Sequence, residues 1–270
     1  MSARHRPRRP LRPALGLRWR GVAGWLPGAM TLGNLLAGFV AILLATQHEF
    51  LVATVLVLAA AVLDGLDGRV ARLTGTASDF GEQLDSLADA VSFGVAPSML
   101  AFQAGVAGLG RAGWAICFLF TACGLIRLAR FNAFPHDHRF FIGLPIPMAA
   151  SIATCPILLS DGAPLAPALV APYGVLLASL AILMVSRIRY RSFKDVRFGP
   201  KPYRVLALWA ALLGGLLAAP QWVISAVLGA YLVSPLCLWV VRAVARPRRG
   251  RPGREGDHPT PHDAARSEPL

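Results

Sequence analysis

Apolar residues fall in long blocks along this chain, and the blocks have the length a helix needs to cross a membrane, about 20 residues for a ~30 Å hydrocarbon core. Eight are visible: Leu26–Ala45, Leu51–Arg72, Leu84–Phe102, Ala112–Leu128, Ile142–Leu159, Ala168–Val185, Tyr203–Ala219 and Trp222–Val241. The seventh is short and bounded by Pro220, so the expected number of spans is about eight, within a range of six to eight. Pro97, Pro145, Pro147 and Pro156 fall inside blocks, where each is expected to kink its helix. The pattern predicts an all-α, polytopic transmembrane helical bundle.

Composition agrees with the pattern. The chain has 270 residues, 55% of them hydrophobic and 15% charged, with a mean hydropathy of +0.55, outside the range of soluble domains. The net charge of +13 would suit nucleic acid, but the positions of the cations point elsewhere. Seven arginines precede the first block and seven follow the last; the loops after blocks two, four and six, with their helix ends, hold two, three and seven Lys or Arg. Arg111 alone lies on the other side. This positive-inside asymmetry predicts a multi-pass protein of the cell (inner, cytoplasmic) membrane with both termini in the cytoplasm. Anionic lipid headgroups, and not nucleic acid, are the expected partners of the tails.

Residues 1–20 and 246–270 are basic, rich in Pro and Gly, and expected to be disordered. Between them the chain divides into a membrane domain over 21–200 and additional C-terminal helices over 201–245. The first block lacks a small-residue cleavage site and reads as a retained helix. Cys117, Cys123, Cys155 and Cys237 all fall within blocks, as small buried residues do, and predict neither a disulfide set nor a metal cage.

One stretch breaks the apolar rule. "VLDGLDGRVARLTGTASDFGEQLDSLADAVSFG" (62–94) places Asp64, Asp67, Asp85 and Asp89 at the ends of the second and third blocks. A charged side chain at the bilayer centre costs about 2.5–3.5 kcal/mol, so four of them need a reason. At ~100° per residue, Asp64, Asp67, Gly68, Ala71 and Arg72 share one helix stripe, and Gly81, Asp85, Asp89 and Ser92 share another. The linking "TGTASDF" is short, which predicts antiparallel neighbours brought close by Gly68, Ala71 and Gly81. Four converging carboxylates repel unless cations neutralise them, and an all-oxygen set selects hard ions, Mg²⁺ or Mn²⁺, in a number that suits two ions. Such ions beside an arginine would receive a diphosphate, and the membrane setting makes it a lipid's. Asp79 and Glu82 read as solvated loop charges.

Those residues resemble the CDP-alcohol phosphatidyltransferases, whose signature D-x2-D-G-x2-A-R-x8-G-x3-D-x3-D is matched at every position by Asp64, Asp67, Gly68, Ala71, Arg72, Gly81, Asp85 and Asp89. The resemblance implies that Asp64, Asp67 and Asp85 hold the metals, and that Asp89 contacts one ion and is the catalytic base. It further implies CDP-lipid contacts from Gly68, Arg72, Ser78, Thr31 and Asn34, release of CMP, and a homodimer. "FGEQLDSLADAVSFGVAPS" (80–98), "RLARFN" (127–132), "FIGLPIPMAA" (141–150), "SRIRYRSFK" (186–194) and "TLGNLLAGF" (31–39) are similar to the bacterial phosphatidylserine synthase branch. That branch implies CDP-diacylglycerol and L-serine as substrates and an active site facing the cytoplasm. The likeness departs at Gly28, where relatives usually carry Asn after the Pro.

For the carboxylate of a serine acceptor the cytoplasmic loops offer Arg127, Arg130, Asn132, Arg189 and Lys194. Arg127 and Arg130, at i and i+3, are the preferred pair because they would share a face. Two alternatives stay open: the same chemistry on glycerol 3-phosphate or an inositol phosphate, and a cation-coupled transporter, which would also gather carboxylates within the membrane.

Overall fold

The computed structural model describes residues 15–75, 78–133, 141–186, 189–190, 210 and 212–244. Within them the chain is a helical bundle. Helices α1 (Leu15–Thr46), α2 (Phe50–Thr74), α3 (Asp79–Asp89) and α4 (Ala96–Ala104) form its first half, with α3 passing into α4 through a π-helical segment, Ala90–Val95. A 3₁₀ turn, Val106–Leu109, leads to α5 (Arg111–Ala133); then come α6 (Ile146–Leu159), α7 (Pro167–Val185) and α8 (Pro220–Val244).

Five helical stretches are long and apolar enough to cross a membrane: Gly28–Thr46, Phe50–Val70, Asp79–Ala104, Arg111–Ala133 and Pro167–Val185. They coincide with five of the eight sequence blocks. The fifth and eighth blocks appear as the shorter apolar helices Ile146–Leu159 and Pro220–Ser234. Most of the seventh lies outside the described residues, although 212–218 is helical. Helix α1 starts at Leu15, so residues 15–20 are helical where disorder was expected. Residues 1–14 and 246–270 lie outside the described residues.

The burial pattern follows from the solvent. Alanines line the contacts, with Ala41, Ala45, Ala53, Ala60, Ala96, Ala101, Ala149, Ala150 and Ala153 fully buried, so that backbones approach closely. Large apolar residues such as Leu36, Phe39, Val62, Phe118 and Val175 face outward, where lipid is as good a neighbour as protein. Helix α6 is buried from Ile146 through Leu158 on nearly all sides and packs against α2, α4, α7 and α8. Apolar all round, it belongs in the centre.

Two expectations about prolines and packing are corrected. Pro97 sits in the first turn of α4, Pro145 caps α6 and Pro147 opens it; only Pro156 is interior to a helix. First-turn proline leaves no orphaned acceptor, so three of the four do not kink a span. Helices α2 and α3 are not close-packed neighbours either. Helix α3 rests on α1, and α2 meets the same rod deeper, through the π segment and α4. A β-carbon at Gly68 would meet nothing within 4 Å, and one at Gly81 would meet only the Ser78 hydroxyl. The close glycine contact is elsewhere: a β-carbon at Gly38 on α1 would collide with Ser92 of the π segment.

A short antiparallel pair, β1 (Phe141–Ile142) with β2 (Arg189–Tyr190), ties the segment before α6 to the one after α7. Gly143 follows at φ 86°, against the Met184 carbonyl, a conformation that favours glycine.

Candidate active site

Where α2 and α3 part, their carboxylates meet. Oxygens of Asp64, Asp67 and Asp85 lie within 4.8 Å of one another. Asp89, one turn beyond Asp85, interacts electrostatically with Asp64 and Asp85. Asp67 and Asp89 are 4% and 7% exposed, so this charge is held largely out of water.

Helix α1 orients the cluster. Thr31 donates from Oγ1 to Asp67 Oδ2 at 3.2 Å, and Asn34 donates from Nδ2 to Asp89 Oδ1 at 3.0 Å. Thr31 and Asn34 are one helical turn apart, which is why a single face of α1 reaches both helices. The Ser92 hydroxyl donates to the Asn34 carbonyl at 2.9 Å and fixes the π segment to the same turn. Asn34 is fully buried. Expected as CDP-lipid contacts, both α1 side chains instead spend a donor on an aspartate.

The donor set fits a hard cation. It is all oxygen, three oxygens share one small volume, and Asp85 Oδ1 is buried without a hydrogen-bond partner. A buried ionised oxygen left unpaired is costly unless something outside the chain completes it. The site therefore suits a divalent ion.

The remaining candidates separate. The Arg127 guanidinium, on α5, lies within electrostatic range of Asp89 and Asp64, and its Nε is buried with no partner. It borders the inward stripe of Gly113, Phe120, Gly124 and Leu128. Arg130 is exposed and does not share that face. Asn132 exchanges hydrogen bonds with Ser86 (2.9 Å to Ser86 Oγ), pinning the end of α5 to α3. Ser78 caps α3, its hydroxyl accepting from Gly81 N–H at 3.1 Å, and Asp79 and Glu82 stand exposed in that first turn. Gly68 borders open space beside Asp67. The Arg72 and Arg189 side chains and Lys194 lie outside what is described.

The sequence pattern of CDP-alcohol phosphatidyltransferases matches residues 24–186, which hold all of this geometry. The chain belongs to the CDP-alcohol phosphatidyltransferase family. It is 38% identical over 227 residues to the CDP-diacylglycerol–serine O-phosphatidyltransferase of Helicobacter pylori (strain ATCC 700392 / 26695), covering 79% of this chain and 90% of that one. The Bacillus subtilis (strain 168) protein of the same name is 36% identical over 176 residues, 63% of this chain and 92% of its own. The archaetidylserine synthase of Methanothermobacter thermautotrophicus is 35% identical over 167 residues, 61% of this chain and 69% of its own. As a member of this family the chain is a membrane-embedded transferase with an acidic site for a divalent metal.

Sequence reasoning missed the α1 hydrogen bonds as supports of the aspartates, and missed Tyr231 of α8, which interacts electrostatically with Arg127. Its only signal was a lone phenol in a Leu- and Val-rich block.

Proposed function

We propose that this enzyme transfers the phosphatidyl group of CDP-diacylglycerol to L-serine, giving phosphatidylserine and CMP, at the cytoplasmic face of the cell membrane. The observation that carries the reading is the juxtaposition of the Asp64–Asp67–Asp85 oxygens with Asp89 and Arg127. Serine is favoured as acceptor because relatives whose names specify different lipids, phosphatidyl and archaetidyl, share it. The charge asymmetry of the loops supports the cytoplasmic placement.

Asp64, Asp67 and Asp85 would hold two Mg²⁺ or Mn²⁺ ions, which when bound neutralise the diphosphate and the departing CMP phosphate. Asp89 removes the proton from the acceptor hydroxyl, a weak nucleophile at neutral pH. Asn34 engages Asp89 Oδ1 and leaves Oδ2 for that proton. The serine oxygen bonds to the β-phosphorus as its bond to the CMP oxygen breaks. Gly68, with open space beside it, lets the diphosphate approach the backbone, and Arg72 supplies a cation to it. Arg127 receives the serine carboxylate through its buried, unpaired guanidinium edge. The family resemblance supports a homodimeric assembly.

The test is CMP release from CDP-diacylglycerol by protein purified in detergent, offered L-serine, glycerol 3-phosphate or an inositol phosphate, with and without Mn²⁺. Metal-dependent release with serine alone, lost in Asp89→Asn, is the expected result. Release with another alcohol keeps the chemistry and discards serine; no release with any of them from folded protein discards the transferase assignment in favour of a transporter.

A further inference from the structure

Arg127 faces a difficulty inside the proposed site. Its guanidinium lies among Asp64, Asp89 and Tyr231. The two carboxylates attract it only while they keep their negative charge to themselves. Once divalent cations take that charge, the local field turns against a guanidinium, and a partner insensitive to the metals is needed to keep it there. The phenol of Tyr231 is such a partner: a neutral group whose oxygen can accept from an arginine without adding charge.

Its setting is suited to the task. Helix α8 packs against the buried α6, and Leu228, Tyr231 and Leu232 rest on the hydrophobic core, so the ring is anchored along its length. On the opposite side, the Ser86–Asn132 pair pins α5 to α3 and fixes the helix that carries Arg127. Arg130 is exposed and gives no substitute for Arg127. Helix α8 lies beyond residue 186, where the family match ends, so this contact is an addition made by the C-terminal part of the chain.

We propose that Tyr231 is a positioning residue that holds Arg127 toward the acceptor's carboxylate, making α8 a determinant of acceptor specificity. The proposal rests on the assignment of Arg127 to the serine carboxylate. The two are separated by comparing L-serine with 2-amino-1,3-propanediol, which keeps the amine and hydroxyl but has no carboxylate. In Tyr231→Phe, KM for L-serine is expected to rise about tenfold, the weight of one hydrogen bond to a charged group, with kcat, KM for CDP-diacylglycerol and KM for the diol unchanged. The ring is retained, so the melting temperature in detergent should stay at the wild-type value. A wild-type KM for serine in Tyr231→Phe, beside a raised one in Arg127→Lys, overturns the role of Tyr231 and leaves Arg127 in place. Parallel changes for serine and the diol in Tyr231→Phe mean a structural role and also overturn it. If Arg127→Lys affects both acceptors alike, the Arg127 assignment fails and the proposal falls with it.

Discussion

Two polar regions of the bundle obey opposite rules. In the middle, Ser98 and Thr121 pair at 2.8 Å and share the carbonyls of Gly94 and Cys117, Thr154 donates to the Ser151 carbonyl at 2.9 Å, and Tyr173 donates to the Ala153 carbonyl at 2.8 Å. Each of these groups spends its hydrogen bonds inside the protein, as a low-dielectric interior demands. The aspartate end leaves atoms unspent. Among the described residues, three of the five buried polar atoms without a partner are Asn34 Oδ1, Asp85 Oδ1 and Arg127 Nε, and both that belong to charged groups are here. A polar group inside a membrane bundle is thus not in itself a sign of chemistry. What marks the site is the part of its bonding capacity that the fold does not use.

The contrast is broken most severely at the carboxylates. Asp64→Asn, Asp67→Asn or Asp85→Asn should each lower kcat by about 10³ or more while leaving the thermal midpoint in detergent unchanged or raised, because a repelling charge is removed. Stripping divalent ions with a chelator should abolish CMP release in the wild type, and Mn²⁺ should restore it. Next comes Asp89→Asn, with a loss of about 10²–10⁴ in kcat and little change in KM for the lipid. Arg127→Lys should raise KM for serine about tenfold or more, since an ammonium cannot reproduce a bidentate grip.

The smallest effects sharpen the comparison from the other side. Ser98→Ala should cost about 1 kcal/mol of stability, seen as a lower melting temperature, with kcat unaltered. Ser78→Ala should cost a similar ~1 kcal/mol through the lost helix cap, and Ser78→Asp, which caps equally well, should recover it. A loss of CDP-lipid affinity in Ser78→Ala that Ser78→Asp fails to restore would instead give that hydroxyl to the substrate.

The legible part of this architecture was written in expensive residues. Aspartates in apolar blocks carry an energetic cost that composition cannot hide, and eight fixed positions from Asp64 to Asp89 leave little room for coincidence. The blocks themselves follow from backbone hydrogen bonding in lipid, which permits little besides helices. Pairings through space were not legible. Nothing in "TLGN" says that Thr31 and Asn34 face Asp67 and Asp89, because that depends on α1 lying against both α2 and α3. The spacing of Arg127 and Arg130 misled for a related reason: three residues span about 300°, enough for packing to admit one and expel the other. The π segment gave no warning, since "AVSFGV" satisfies an α-helix as readily.

That segment has a further consequence. The Ala96 N–H reaches back five residues to the Val91 carbonyl, so the rod from Asp79 to Ala104 contains a wider turn just after Asp89. The wider turn acts as a phase shifter between two patterns that must both be correct. Ahead of it, Asp85 and Asp89 are aimed at the cluster; behind it, Ala96, Leu100, Ala101 and Ala104 are aimed at the core. With a uniform pitch, any drift in one pattern would rotate the other. The extra residue uncouples them, so that over evolutionary time the catalytic turn can keep its aim while the buried half of the same rod is rewritten to suit its neighbours.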